Sequence, residues 1–215
     1  MPVVIGIDLS GPTNVADTVV VVLRGDAREL ALEEVCNGVG DAEIFRLIAR
    51  YAADDAFVVG IDAPLSYNPG GGDRPGDKAL RKLLTRHGLA SGSVMTPTMT
   101  RMAYLTLRGM GVARGIVEVG REKARVAEVH PAAAMMLRGA PPEALMVMKR
   151  DAGVRGELLA WLEGQGLAGV SAQSAPTDHY VAACGAALGG WGWSRNEHKW
   201  REPAALPLHP FDFVA

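Results

Sequence analysis

Two stretches of this chain are built alike: VVIGID at residues 3–8 and AFVVGID at 56–62 are continuous apolar runs that stop at an aspartate. Apolar runs of this length, rich in β-branched residues and without polar alternation, suit buried strands. An acid that closes such a strand has two uses. It can end the strand and satisfy local backbone donors, or it can stand at the sheet edge and hold a metal or a phosphate. A third run, ARVAEVH at 124–130, ends in acid and histidine, and Pro131 closes it as Pro64 closes the second.

The rest of the chain sets these strands in order. TVVVVLRG, residues 18–25, reads as a strand that can pair with the first as a hairpin, and residues 27–35 give a third, short strand. AEIFRLIARYAA, residues 42–53, places Ile44, Leu47, Ile48 and Tyr51 at helical spacing. Residues 67–77 are too rich in Gly and Pro for regular structure, whereas 78–88, 100–116 and 175–191 read as helices. PAAAMMLRG and GELLAWLEGQG add two more helical segments, and the closing PLHPFDFVA suits a short edge strand or a packed tail. Three strands before the first helix argue against a plain doubly wound fold. The expectation is an α/β chain with a mixed sheet, an antiparallel N-terminal meander and later crossover helices. It is read as a single domain over 1–215, with a loop and helical insertion at about 66–116.

With 215 residues the chain can bury one sizeable core, and its formal charge of -2 gives no global basic field to draw in nucleic acid or an anionic membrane. A local basic patch would still suffice for nucleic acid. The two cysteines, Cys36 and Cys184, spell neither a disulfide framework nor a metal motif. The N-terminus lacks the pattern of a secretory leader, and no run of about 18 apolar residues occurs. The expected setting is cytoplasmic, with no membrane partner. The apolar C-terminal region allows a homodimer.

Four acids fall at comparable places: Asp8, Asp62 and Glu128 at strand ends, and Asp178 at the start of the last long helix. Sites in open α/β sheets form outside the carboxyl ends of strands. If these strands are parallel neighbours, their carboxylates converge and repel unless a cation lies among them. Oxygen-rich sites of that kind suit Mg²⁺ or Mn²⁺, and two such ions about 3.5–4 Å apart can activate water in phosphodiester hydrolysis. In that arrangement Asp8 bridges the metal ions, Asp62 and Asp178 take one side each, Glu128 ligates or orients water, and His130 transfers a proton. Each residue also has a plainer account. A strand-end Asp is often structural, Asp178 suits the helix dipole, and His130 can be a strand-end hydrogen-bonding group.

The ordered set GIDLSG, GIDAPL, a Gly-rich loop with D…LR, AEVHPAAAM and a D-led small-residue helix resembles a family of ribonuclease-H-like predicted nucleases, domain-of-unknown-function family 429. The likeness runs from Val3 to about Trp191. It implies a mixed five-stranded sheet flanked by helices, distant kinship with RuvC-type resolvases, and Asp8 as the central catalytic aspartate. By the same resemblance Asp62 is the strand-four acid, Glu128 and His130 form an E-x-H-P signature, and Asp178 opens a D-x-x-D-A pattern. The chain departs from that pattern at Val181, where a second aspartate is expected.

Substrate-binding candidates are Ser10 in the first turn and the group Asp77, Lys78 and Arg81. Asp77 and Arg81, four apart, are expected either to pair locally or to face a substrate phosphate. Arg74, Lys78, Arg81, Lys82 and Arg86, extended by Arg101 and Arg108, make the local basic patch that could hold a nucleic-acid backbone. The leading expectation is divalent-metal-dependent hydrolysis of nucleic acid. Its rivals are a nucleotide-binding phosphotransferase of the actin and sugar-kinase type, for which one such domain is short, and a non-catalytic binding protein, which Val181 favours.

Overall fold

The computed structural model describes residues 2–215. Five strands run to six residues or more: β1 (Val3–Asp8), β2 (Val19–Gly25), β3 (Leu30–Asn37), β4 (Phe57–Asp62) and β5 (Ala124–Val129). Three have two residues each: β6 (Leu167–Ala168), β7 (Arg201–Glu202) and β8 (Phe213–Val214). The helices are α1 (Asp41–Asp54), α2 (Pro75–Arg86), α3 (Met102–Gly120), α4 (Pro131–Met136), α5 (Pro142–Val147), α6 (Ala152–Gly164) and α7 (Asp178–Ser194). None is long and apolar enough to cross a membrane, among the described residues.

All eight strands join one mixed sheet in the order β6-β3-β2-β1-β4-β5-β8-β7. The N-terminal strands form the expected antiparallel meander, and β4 and β5 run parallel to β1. The sheet is thus eight-stranded and not five-stranded. The additional strands are two residues long, too short to carry a hydrophobic period, and only the returning chain brings them to the sheet. A second correction concerns the Gly/Pro-rich stretch. Its end is already helical, because Pro75 sits at the first turn of α2 and the Asp77 carboxylate accepts the Arg74 backbone N–H at 2.8 Å. The third strand runs from Leu30 to Asn37, starting and ending later than the expected 27–35.

Alternation along the strands divides the core into two layers. Val3, Ile5 and Ile7 of β1, with Phe57, Val59 and Ile61 of β4, pack against Ile44 and Ile48 of α1 and Val112 and Ile116 of α3. On the other face lie Val4, Val19, Val21 and Leu23, covered by α2, α4, α6 and α7. The segment 66–116 contributes to both layers, through Leu80 and Leu84 of α2 on one side and Val112 and Ile116 of α3 on the other.

The placement of α7 matters most for the site. It is buried without a break from Tyr180 to Gly192, which is why its sequence is nearly all small and apolar. It lies directly on β1 and β4. A Cβ on Gly6 would stand 2.1 Å from the Ala183 carbonyl oxygen, and one on Gly60 would stand 2.2 Å from that of Ala186. Only glycine lets backbone approach backbone this closely. The N-terminus of α7, carrying Asp178 and His179, is thereby held at the carboxyl ends of the two central strands.

Candidate functional site

Asp8 and Asp62 are register partners at the ends of the adjacent parallel strands β1 and β4. Both have the parity of Gly6 and Gly60, so both carboxyls point to the side covered by α7. Each is close enough for its charge state to act on the other. Burial, then the facing Asp8 charge, pushes the Asp62 carboxyl well above the usual carboxylate range. Asp8 is also raised by burial, against the opposing pull of His179, whose Nδ1 lies 2.6 Å from Asp8 Oδ2. That bond raises the imidazole's own pKa. Asp178, one residue before His179, is close enough for its charge to push Asp8 upward. The exposed Lys149, after α5, favours the charged form of Asp62.

Glu128, whose charge also pushes Asp62 upward, lies on the other side of the sheet from this pair for a reason of register. It lies beside Ile61, not Asp62, so it has the opposite parity and belongs to the other side of the sheet. There it is buried and accepts three hydrogen bonds, two from Arg74 and one from the Leu65 backbone N–H at 2.8 Å. Arg74 spends its remaining donors on Asp77 and Ser66. Burial pushes the Glu128 carboxyl up while the guanidinium holds it down.

The other candidates are largely engaged within the fold. His130 caps α4: its Nδ1 accepts the Ala133 N–H at 3.1 Å, and its Nε2 lies 2.8 Å from the Ser93 carbonyl oxygen. These bonds describe a neutral ring with the proton on Nε2, and burial holds its pKa below the usual value. Ser10 is tied by its hydroxyl to Asn14 O and Thr18 Oγ1, and by its carbonyl to Arg108. Asp77 and Arg81 do not pair with each other. Asp77 binds Arg74, and Arg81 forms a two-pronged bond to Asp73 and also reaches the Val94 carbonyl. Arg81 and a Thr96 bond hold Asp73 at about 2. Of the basic patch, Arg74 and Arg108 are buried, while Lys78, Lys82, Arg86 and Arg101 remain exposed.

His179 and Arg74 are the residues whose placement the sequence conceals. His179 follows Asp178 at a helix start and carries no motif of its own. Arg74 has one local signal, an acid three residues on that completes a capping box. Val181 is fully buried in the core, so the position of the missing aspartate faces packing and not the rim.

Whether these residues suit a divalent ion depends on their donor set. Among the described residues, no group of three or more His, Cys, Asp or Glu side chains is gathered to hold a metal ion. Asp8 and Asp62 alone supply two hard oxygen donors, which fits one Mg²⁺-like ion that keeps much of its water. It does not fit a two-ion cluster, because Glu128 is neutralised by Arg74. A family model described as Protein of unknown function (DUF429) matches residues 6–205. No curated protein and no solved structure matches the chain.

Proposed function

The chain belongs to the DUF429 family of proteins of unknown function, and we propose that its Asp8–Asp62 pair holds one Mg²⁺ or Mn²⁺ and serves the hydrolysis of nucleic-acid phosphodiesters. The carrying observation is the facing of two carboxyls at the ends of adjacent parallel strands, with burial raising both and the Asp8 charge raising Asp62 further. Two such groups are eased by a shared proton or by a cation. The five longer strands, in the order β3-β2-β1-β4-β5, are consistent with a ribonuclease-H-like core.

Bound there, a divalent ion would activate water and stabilise the leaving oxygen. The protein's own parts follow from their contacts. His179 fixes Asp8 through Oδ2 and leaves its other oxygen free to act beside Asp62. Lys149 offers an exposed cation whose field reaches Asp62, suited to a substrate phosphate. Lys78, Lys82 and Arg86 on α2 supply further charge for a polyanion.

The test is a panel of single- and double-stranded DNA and RNA with Mn²⁺, comparing the parent chain with Asp8→Asn and Asp62→Asn, alongside a calorimetric Mn²⁺ titration. The expected result is cleavage by the parent only, with one ion bound. Cleavage that survives both substitutions refutes the proposal. A non-catalytic binding role has its own support in the buried Val181 and the absence of a three-ligand group among the described residues. Neither cleavage nor Mn²⁺ binding by the parent chain would favour that role.

A further inference from the structure

A second recess opens along the same sheet edge, beyond β5. Its volume is about 180 Å³, room for about six waters or one flat ring. Ser66, Arg74, Glu128, His209, Phe211 and Phe213 line it, and the exposed Glu202 and Ala205 complete the wall.

The hydrogen bonds around this recess define what it offers a ligand. Arg74 has five N–H donors, and all are spent: Nε on Asp77, Nη1 on Ser66 and Glu128, Nη2 on Asp77 and Glu128. The one buried cation of the wall therefore donates nothing inward. Ser66 Oγ accepts from Arg74 and lies 2.8 Å from His209 Nδ1, to which its own hydrogen can be donated. In the tautomer that this donation sets, the His209 proton sits on Nε2 as a donor. Glu128 Oε2 already takes bonds from Arg74 and Leu65, but Oε1 takes only one and keeps a lone pair. The Arg74 guanidinium is already matched by Asp77 and Glu128, and Glu202 adds a further carboxylate to the wall. Phe211 and Phe213 supply flat apolar wall, and the Arg74 guanidinium lies 5.1 Å from the Phe213 ring centroid.

We infer that this recess binds an amino-substituted nitrogen heteroaromatic ring of single-pyrimidine size, the chemistry of the cytosine edge. The ring lies against the phenyl groups, its amino group donates to the carboxylates, and its ring nitrogen accepts from His209 Nε2. Uracil turns a carbonyl toward the same carboxylates and is disfavoured. The inference does not rest on the phosphodiester proposal: the recess uses neither Asp8 nor Asp62, which have the opposite parity to Glu128.

The experiment is calorimetric titration with cytidine, uridine and a short oligocytidylate. It uses the parent chain, Ala205→Leu, Glu202→Gln and Asp8→Asn. Ala205 and Glu202 are exposed, so both recess variants keep the core. Cytidine is expected to bind the parent and Asp8→Asn alike and to exceed uridine by about tenfold. Ala205→Leu should abolish binding, and Glu202→Gln should weaken it about fivefold. Oligocytidylate that binds more tightly than cytidine assigns the recess to a base within a polynucleotide, and equal affinity assigns it to the free ring. Absence of cytidine binding, equal affinity for uridine, or indifference to Ala205→Leu overturns the inference. Loss of Mn²⁺-dependent cleavage in Asp8→Asn with cytidine binding intact keeps the two sites separate.

Discussion

Position in the chain makes Glu128 a candidate for catalysis and the structure pairs it with Arg74 as a buried counter-ion, so the two roles can be separated by substitution. In Glu128→Ala the protein loses three accepted hydrogen bonds and leaves Arg74, itself only 5% exposed, with Asp77 as its sole charged partner. Removing one member of a buried, hydrogen-bonded ion pair costs about 3–5 kcal/mol, because the partner's desolvation is no longer offset. For a chain of this size that is a fall in Tm of roughly 6–20 °C. Glu128→Gln keeps the shape and can still accept from the Leu65 N–H, so its loss should be smaller, about 1–3 kcal/mol. Urea denaturation and calorimetry measure both, and a double-mutant cycle with Arg74→Met isolates the pairing. Coupling should be large, with the double variant little worse than the worse single. Mn²⁺-dependent cleavage per folded molecule should stay near that of the parent. A Glu128→Ala protein as stable as the parent but inactive would falsify this reasoning and return the residue to the catalytic group.

Other expectations follow from contacts already described. Gly60→Ala drives a Cβ into the Ala186 carbonyl and Gly6→Ala does the same at Ala183; each should cost about 1–3 kcal/mol or more, read by urea midpoint, and an unchanged midpoint would mean α7 does not lie on these strands as described. His130 is neutral in the fold with a pKa lowered by burial, so stability is fully present above the ordinary histidine value of about 6.5 and falls as pH drops below it and the unfolded chain takes up the proton first. His130→Asn retains a capping oxygen without a titrating ring and should flatten that loss in pH-dependent melting curves; an unaltered slope counts against the cap. Asp73 is held at about 2 by Arg81 and Thr96, below its ordinary 3.8, so its contribution is present above 3.8 and is lost as pH falls toward 2. Asp73→Asn should shrink the acid limb of the stability curve, and an identical limb in the variant would show that the pair contributes nothing.

Much of the fold was legible in the chain because burial leaves local marks. Five strands, the antiparallel meander and the small-residue helix all follow from apolar runs and their ends. The two GID repeats placed Asp8 and Asp62 correctly at strand termini, and parity alone implies that each points to the same side as the glycine two residues before it. The tertiary structure decided the rest through register and return of the chain. Whether Glu128 joins those acids depends on its lying beside Ile61 and not Asp62, an offset of one residue set by how β5 packs on β4. Arg74 reaches Glu128 from 54 residues away, and His179 reaches Asp8 from 171 residues away. No local pattern encodes such meetings, because they arise only when the glycines of two strands admit a helix close enough to deliver its first turn to the rim.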